Sequence, residues 1–546
     1  MKKIFILLMV TFLLVGCSTS TDSTTSSTDD TANENNVLTL ARTSDLQSLD
    51  FAVASDSTSF EMMAQLFDGL VIVRDNNEID PGVAKSWDIS DDKTVYTFYL
   101  DENYKWSNGT PVTANDFVYA WQRMTDPEEA AVYSFIFKTV KLKNVNEVMS
   151  GELPVDELGV KALDDYTLEV TLDAPVPFFL SLTGFPTFYP LNEEFVESKG
   201  DQYATSIDNL LFNGPFVLTE WNQGSSYVFE RNENYAYADE VLPDGLVYKF
   251  LADAQTAVLS YETGDIDILT ISGDMVDLYK DDPDFENYLV AYTWYLAFNF
   301  NIPELNNVNL RNAFAYAINR DDVANLILKD GSVAADGIIP REFAYSPDGV
   351  DFREDTDSYF GTDYALAQEY LEKAKEELGV DTFEITLLFD DSDSSKSVAE
   401  FIKSELESNL PGVTINLDQK SKKGRTDQMS SGDYEMALDR WGADYADPQT
   451  FLDLYTSDTT TYHKSLGYSS AAYDADIQEA FYGESTKDDQ ARWDLMKDAE
   501  RVLLEDDVAL IPIYQTGLAY LISPDISNYG IYTMAMNVYQ YTEINR

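Results

Sequence analysis

The chain has 546 residues with one cysteine and one histidine, and its 97 acidic against 36 basic side chains give a formal charge of −61. So acidic a protein is repelled by nucleic acid and by anionic lipid, which argues against both as partners. The single histidine, His463, excludes imidazole clusters for zinc, Ser-His relays and H-E-x-x-H sites, and no G-x-S-x-G, G-x-x-x-x-G-K or G-x-G-x-x-G run marks a nucleophile elbow or phosphate loop.

Lys2 and Lys3, followed by an apolar run over residues 4–15, read as a secretory signal, short of the ~20 residues a membrane-spanning helix needs. The exit Leu14-Val15-Gly16-Cys17 resembles a bacterial lipoprotein signal. That resemblance implies a signal peptide over residues 1–16 and Cys17 as the lipidated first residue of a chain held on the extracellular face of the cell membrane. Several acyl chains anchor stably where one gives only marginal binding. With its thiol acylated, the mature chain keeps no disulfide, thiolate nucleophile or cysteine metal ligand, and no cofactor or metal is expected. Residues 18–36 hold no aromatic or branched aliphatic side chain, so residues 17–36 read as a flexible tether of ~25 Å root-mean-square span.

From Val37 onward about 510 residues remain, more than one hydrophobic core usually serves, so two or three lobes are expected. Residues 94–100 and 166–172 read as strands. In the second, Leu168, Val170 and Leu172 alternate with polar positions, the mark of a half-buried strand. Thr113 to Asp116 looks like a capping box that opens a helix with Phe117 and Trp121 on one face, where Trp121 is ordinary packing. Residues 299–303 are a plausible crossing point between lobes. Beyond it the pattern turns to α/β alternation: a helix over 364–378 stopped by Gly379, a strand over 383–389, a helix over 398–410 with Val398, Ile402 and Leu406 as its apolar stripe, then strands over 413–417 and 434–438. The Asp-rich runs 281–284 and 390–393 lack the glycine and terminal glutamate of a calcium loop and read as solvated loops. Ser90-Asp91-Asp92-Lys93 matches S-x-x-K formally, yet lies in a turn with no K-T-G partner. An extracellular hydrolase is therefore a distant alternative, and no enzyme activity is expected.

Several segments are more specific than composition: P-G-V-A-K-S-W at 81–87, W-S-N-G-T-P-V-T-A-N-D-F-V-Y-A-W at 106–121, L-G-V-K-A-L-D-D at 158–165, N-G-P-F at 213–216 and W-G-A-D-Y-A-D-P at 441–448. Taken in order they resemble the oligopeptide-binding proteins of bacterial ABC importers, family 5 of the extracellular solute-binding proteins, over residues 37–546. The resemblance implies an α/β, three-lobed periplasmic-binding-protein-like fold (class II, cluster C) with two main lobes joined by a hinge and an extra inserted lobe. The implied first lobe is discontinuous, from residues 37–74, 205–298 and 515–546, with a second over 75–204 and a third over 299–514. It also implies oligopeptides as ligands, permease and ATPase subunits of an ABC transporter as membrane partners, and a monomer. A receptor for one signal peptide such as a pheromone, or for dipeptides, is the nearest alternative.

A receptor for many peptides must hold what all peptides share, and main-chain pairing with an extended guest does this while loose pockets accept varied side chains. Burying the free ammonium requires an opposite charge. Residues 444–448 alone read as a turn with Asp before Pro. The resemblance assigns Asp444, in the Ala443-Asp444-Tyr445 step, to the peptide's α-amino group. It further implies backbone contacts from Arg440, Trp441, Gly442 and Ser57, and side-chain pocket walls from Trp441 and Tyr133. One departure matters: tripeptide-fitting relatives carry an arginine six positions before this aspartate, where Leu438 stands here. A clamp on the ligand's C-terminus is accordingly in doubt, and tolerance of longer peptides is expected.

Overall fold

The computed structural model describes residues 36–42, 45–74, 78–251, 253–459, 461–532 and 537–546; the leader, Cys17 and the tether up to residue 35 lie outside them. Local patterning explains many elements directly. The helix Tyr364–Leu378 is capped by the Asp363 carboxylate, which accepts from Ala365 and Leu366 N–H, and ends where Gly379 turns left-handed at φ 68°. Thr113 and Asp116 form the reciprocal box that opens the helix Ala114–Thr125, and Trp121 is fully buried with its indole N–H donating to the Phe188 carbonyl at 2.9 Å. Val398, Ile402 and Leu406 all point from the helix Asp393–Asn409 into the core. The strand Thr167–Thr171 buries Leu168 and Val170 between polar neighbours.

The Asp-rich run 390–393 departs from its reading as a solvated loop. Asp390 ends the strand Phe383–Asp390, is buried, and meets Arg425 at 3.3 Å, while Ser392 caps the next helix. A carboxylate can be buried so because a guanidinium from another helix reaches it. Ser90 to Lys93 forms the expected turn, with Ser90 Oγ donating to Asp92 at 2.6 Å and Lys93 paired to Asp489 at 3.1 Å.

One long mixed sheet organises the molecule. Its main path runs through strands Val413–Lys420, Phe383–Asp390, Met436–Gly442, Phe285–Phe298, Leu510–Ile522, Ile268–Ile271, Val37–Arg42, Gly245–Phe250, Ser226–Arg231 and Phe216–Asn222, with Val333–Ala334 added beside Leu510–Ile522. A separate antiparallel sheet orders Ala84–Ile89, Val95–Leu100, Thr167–Thr171 and Val160–Asp164. Two large apolar cores flank this framework. The first gathers side chains between Leu38 and Tyr248 together with Tyr445 and several C-terminal residues, and the second gathers side chains between Ala291 and Tyr514. A small third cluster, including Ala257, Leu269, Ile271 and Leu521, packs beside the first.

The strands Phe285–Phe298 and Leu510–Ile522 are long enough to run through both cores. Phe285 to Leu289 pair with Leu521 to Gly517, and Thr293 to Ala297 pair with Gln515 to Leu510, with the register broken between Leu289 and Thr293. Tyr288 packs on the first core and Ala291 belongs to the second, so the chain changes core at this break. Asn299, expected near the crossing, lies beyond the strand's far end, where its amide donates to the Gly432 and Tyr434 carbonyls at 3.1 and 2.8 Å. A bulge leaves backbone groups without ladder partners. The buried Gln515 side chain serves one of these, donating to the Val290 carbonyl at 3.2 Å, and ties the break to a neighbouring loop by donating to the Arg341 carbonyl at 3.0 Å and accepting from Arg341 N–H at 2.8 Å.

Gly517 lies just beyond this break with the backbone of Gly331 and Ser332 against it; a Cβ there would sit 2.1 Å from the Gly331 carbonyl carbon and 2.5 Å from Ser332 N. Neither atom can rotate away. Gly517→Ala is expected to destabilise the fold by about 1–3 kcal/mol, as overpacking does, measured by denaturant titration; an unchanged midpoint would show that the 331–332 segment yields.

Candidate functional site

A cavity of about 410 Å³ lies between the two large cores, lined by residues from six separate parts of the chain. It brings together all six residues predicted to meet a ligand: Ser57, Tyr133, Arg440, Trp441, Gly442 and Asp444. Ser57 opens the helix Ser57–Leu66, whose N-cap Asp56 accepts from Ser59 N–H at 2.9 Å and from its hydroxyl at 2.5 Å. Tyr133 belongs to an aromatic wall, edge-on to Phe60 at 5.1 Å and tilted against Phe135 and Phe185 at 5.1 and 6.0 Å.

The opposite wall is the C-terminal end of the strand Met436–Gly442. Its pleat places Leu438, Arg440 and Gly442 on one face. Leu438 is fully buried in the second core, so the position that bears arginine in tripeptide-fitting relatives offers only packing here. The Arg440 guanidinium lies 5.4 Å from the Tyr292 ring centre and 5.3 Å from that of Trp294. Gly442 pairs with Tyr292 across the ladder, and a Cβ at Gly442 would stand 2.0 Å from that ring. The missing side chain is what admits the Tyr292 ring to the cavity. Trp441 lines the cavity with His463 edge-on to it at 5.7 Å. His463 contacts the Tyr295 hydroxyl at 2.9 Å, and burial pushes its pKa down to about 4, so it is a neutral supporting group.

Asp444 follows this strand in a turn held from behind. Its backbone N–H donates to Thr450 Oγ1 at 3.2 Å, and Asp447 takes both terminal nitrogens of Arg492 at 2.8 and 2.7 Å. Next to it, Tyr445 reaches across to the first core and stacks on Phe178 with centroids 4.0 Å apart and planes 12° apart. Among the described residues no donor or cation meets the Asp444 carboxylate. Burial alone pushes its pKa up to about 7. Across the cavity its charge also raises the Tyr133 hydroxyl, after burial, and that of Tyr292. Sequence reasoning missed Tyr292 and Lys422, which line the same cavity, because neither stands in the recognised segments.

Two cores joined by continuous strands, with a cavity between them and an unmatched acid inside it, define a solute-binding protein of the multi-lobed α/β class. The family model for bacterial extracellular solute-binding proteins, family 5, matches residues 78–463, and the chain belongs to that family. It is 33% identical over 501 residues to the periplasmic oligopeptide-binding protein OppA of Salmonella typhimurium, covering 89% of this chain and 88% of that one. It is 29% identical over 508 residues to the dipeptide-binding protein DppE of Bacillus subtilis, covering 92% of each. The solved structure of Listeria monocytogenes OppA bound to peptide superposes with a TM-score of 0.77 at 35% identity, covering 94% of this chain and all of that one.

A carboxyl group whose folded pKa lies near 7 and unfolded pKa near 3.9 keeps its proton better in the folded state, so stability is lost as pH rises through that window. Asp444→Asn removes this loss. Relative to the parent, the variant is expected to gain stability between pH 4 and pH 8, by about 1.4 kcal/mol for every tenfold difference in proton affinity between the folded and unfolded carboxyl. Denaturation midpoints at the two pH values check it, and the raised Asp68, Asp116 and Asp453 carboxyls, present in both proteins, cancel in the comparison.

Proposed function

We propose that this chain captures oligopeptides between its two main lobes and delivers them to the permease and ATPase subunits of an ABC importer. The observation that carries the reading is the unpaired, half-buried Asp444 carboxylate, which lines a cavity whose walls include a strand end and a helix start. Such a group is stabilised by a guest that brings its own cation, and a peptide's α-ammonium is that cation. The backbone of residues 440–442 and of Ser57 pairs with the guest's main chain, while Trp441 and Tyr133 wall a side-chain pocket that selects weakly. Peptides longer than three residues are accepted, since Leu438 provides no clamp for a carboxyl terminus. The site acts by binding rather than by reaction.

The lobes are assigned as residues 37–74, 205–298 and 515–546 for the first, 75–204 for the second and 299–514 for the third, with the boundary at 298/299 drawn back to the break at residues 289–293 because Ala291 and residues 294–298 pack in the second core. Closure turns on the break at Leu289 to Thr293, the hinge motion of binding proteins that sequester ligands. Among the described residues no helix is long and apolar enough to cross a membrane. Attachment at the extracellular face is assigned to lipid on Cys17 after removal of residues 1–16.

Two measurements test this reading. Asp444→Ala is expected to weaken calorimetric binding of a free-amine hexapeptide by roughly 2 kcal/mol or more, as for one partner of a buried charge pair. N-acetylation of the peptide is expected to weaken binding to the parent protein by a similar amount and to add nothing further in the variant. Equal affinity for acetylated and free peptide would overturn the ammonium assignment. In solution scattering, saturating peptide is expected to reduce the radius of gyration, whereas no compaction with any tight-binding peptide would remove lobe closure from the mechanism.

A further inference from the structure

The cleft holds a second unmatched charge of the opposite sign. Arg440 and Lys422 both line the cavity, and among the described residues neither has an acidic partner within ion-pair reach. In a chain of charge −61 this is unexpected, because acids outnumber bases 97 to 36. The acids paired on this wall are already used: Asp390 and Asp439 lie 3.3 and 3.1 Å from the buried Arg425. Lys422 is moreover the first residue of the helix Lys422–Ser431, at the positive end of the helix dipole, where an acidic residue is the stabilising choice. Lys422 stands exposed at the rim of the cavity, and partial burial of its ammonium, then Arg440 and Arg425, push its pKa down, with Asp390 opposing. Arg440 packs near the rings of Tyr292 and Trp294, a stacking that leaves guanidinium N–H groups at its edge for an anion.

We propose that Arg440 and Lys422 form a carboxylate-binding corner, and that the preferred guest carries an acidic side chain one to three residues beyond its free amine. The spacing follows from chain geometry. Arg440 and Asp444 are four residues apart, so their Cα atoms are at most ~14 Å apart, and an extended guest advances ~3.3 Å per residue. The strand ends at Gly442 and the chain bends at Asp444, so the separation falls short of that limit, and an amine on Asp444 places the corner beside the second to fourth residue of the guest. A planar guanidinium and an adjacent ammonium bind a carboxylate through charge-assisted hydrogen bonds. The corner distinguishes guests by a charged side chain in a cleft otherwise suited to shared backbone features.

This inference rests on the ammonium reading of Asp444, and its test separates the two. A C-terminally amidated hexapeptide of alanine and glutamine, with a free amine, serves as the base guest, and glutamate replaces one residue at a time at positions 1 to 5. Glutamate at one position among 2 to 4 is expected to tighten binding about tenfold over glutamine at that position, with the gain shrinking as salt is raised. The gain is expected to fall by half or more, on a logarithmic scale, in Lys422→Gln and to vanish in the Lys422→Gln, Arg440→Gln double variant. In Lys422→Gln the base guest still binds and still depends on its amine. No position preferring glutamate, or a preference unchanged in both variants, overturns the corner while leaving the amine anchor standing. A tripeptide acid that outbinds its amide, with no glutamate preference in the hexapeptides, also overturns it by assigning the corner to a carboxyl terminus. Loss of amine dependence in the parent protein overturns the anchor instead.

Discussion

The ladder between the strands Phe285–Phe298 and Leu510–Ile522 is the constraint on which the rest of the molecule depends, for these strands run continuously through both large cores. A ladder unbroken along its length would hold the cores as one stiff body. A ladder simply interrupted would leave buried carbonyls without donors, at about 1–3 kcal/mol for each. Gln515 eases the conflict: its carboxamide donates to the Val290 carbonyl, so the register shifts while that group keeps a partner, and its bonds to Arg341 brace the break from a neighbouring loop. The register break thus falls where the chain passes from one core to the other, the step on which the proposed closure turns.

Because the cavity lies at this step, its walls come from both bodies. Tyr133 and Phe185 pack with the first core, Trp441 and Ala443 with the second, and Tyr292 stands on the crossing strand itself. Tyr445 ties the two sides together by stacking on Phe178 one residue away from the acid. On the proposed reading, a guest that neutralises Asp444 acts on the loop that makes the contact between the two cores. Coupling between occupancy and the proposed closure then needs no long pathway, since the charged group and the stacking group are neighbours in the chain.

Much of this was legible in the sequence wherever the determinant was local. Gly379 at a helix end, the Thr113 and Asp116 box and the stripe of Val398, Ile402 and Leu406 act within a few residues, and each appears in the structure as the pattern implied. Asp444 was legible only through resemblance, since its own neighbourhood reads as a turn. What escaped was set by distant pairing. Tyr292 enters the cavity because it faces Gly442 across a ladder whose register no local pattern states. Asp390 reads as solvated because the guanidinium that buries it, Arg425, comes from the next helix but one in the chain. The core change falls earlier than residues 299–303 because Asn299 and Pro303 mark the end of a strand, and the break within that strand carries no proline or glycine signal.

The overall charge and the cleft charges act over different ranges. A field from −61 draws cationic groups toward the surface, yet at physiological salt it is screened within about 8 Å, so it aids encounter more than it chooses among bound guests. Selection belongs to charges removed from water. Asp444, raised to about 7, is only partly ionised at neutral pH, so the protein without a guest does not bear the full cost of an isolated anion. On the proposed reading an arriving ammonium shifts the group toward its ionised form with release of a proton. The same burial that makes the free acid weak would then make its ion pair selective, because a guest without a cation does not stabilise the ionised form.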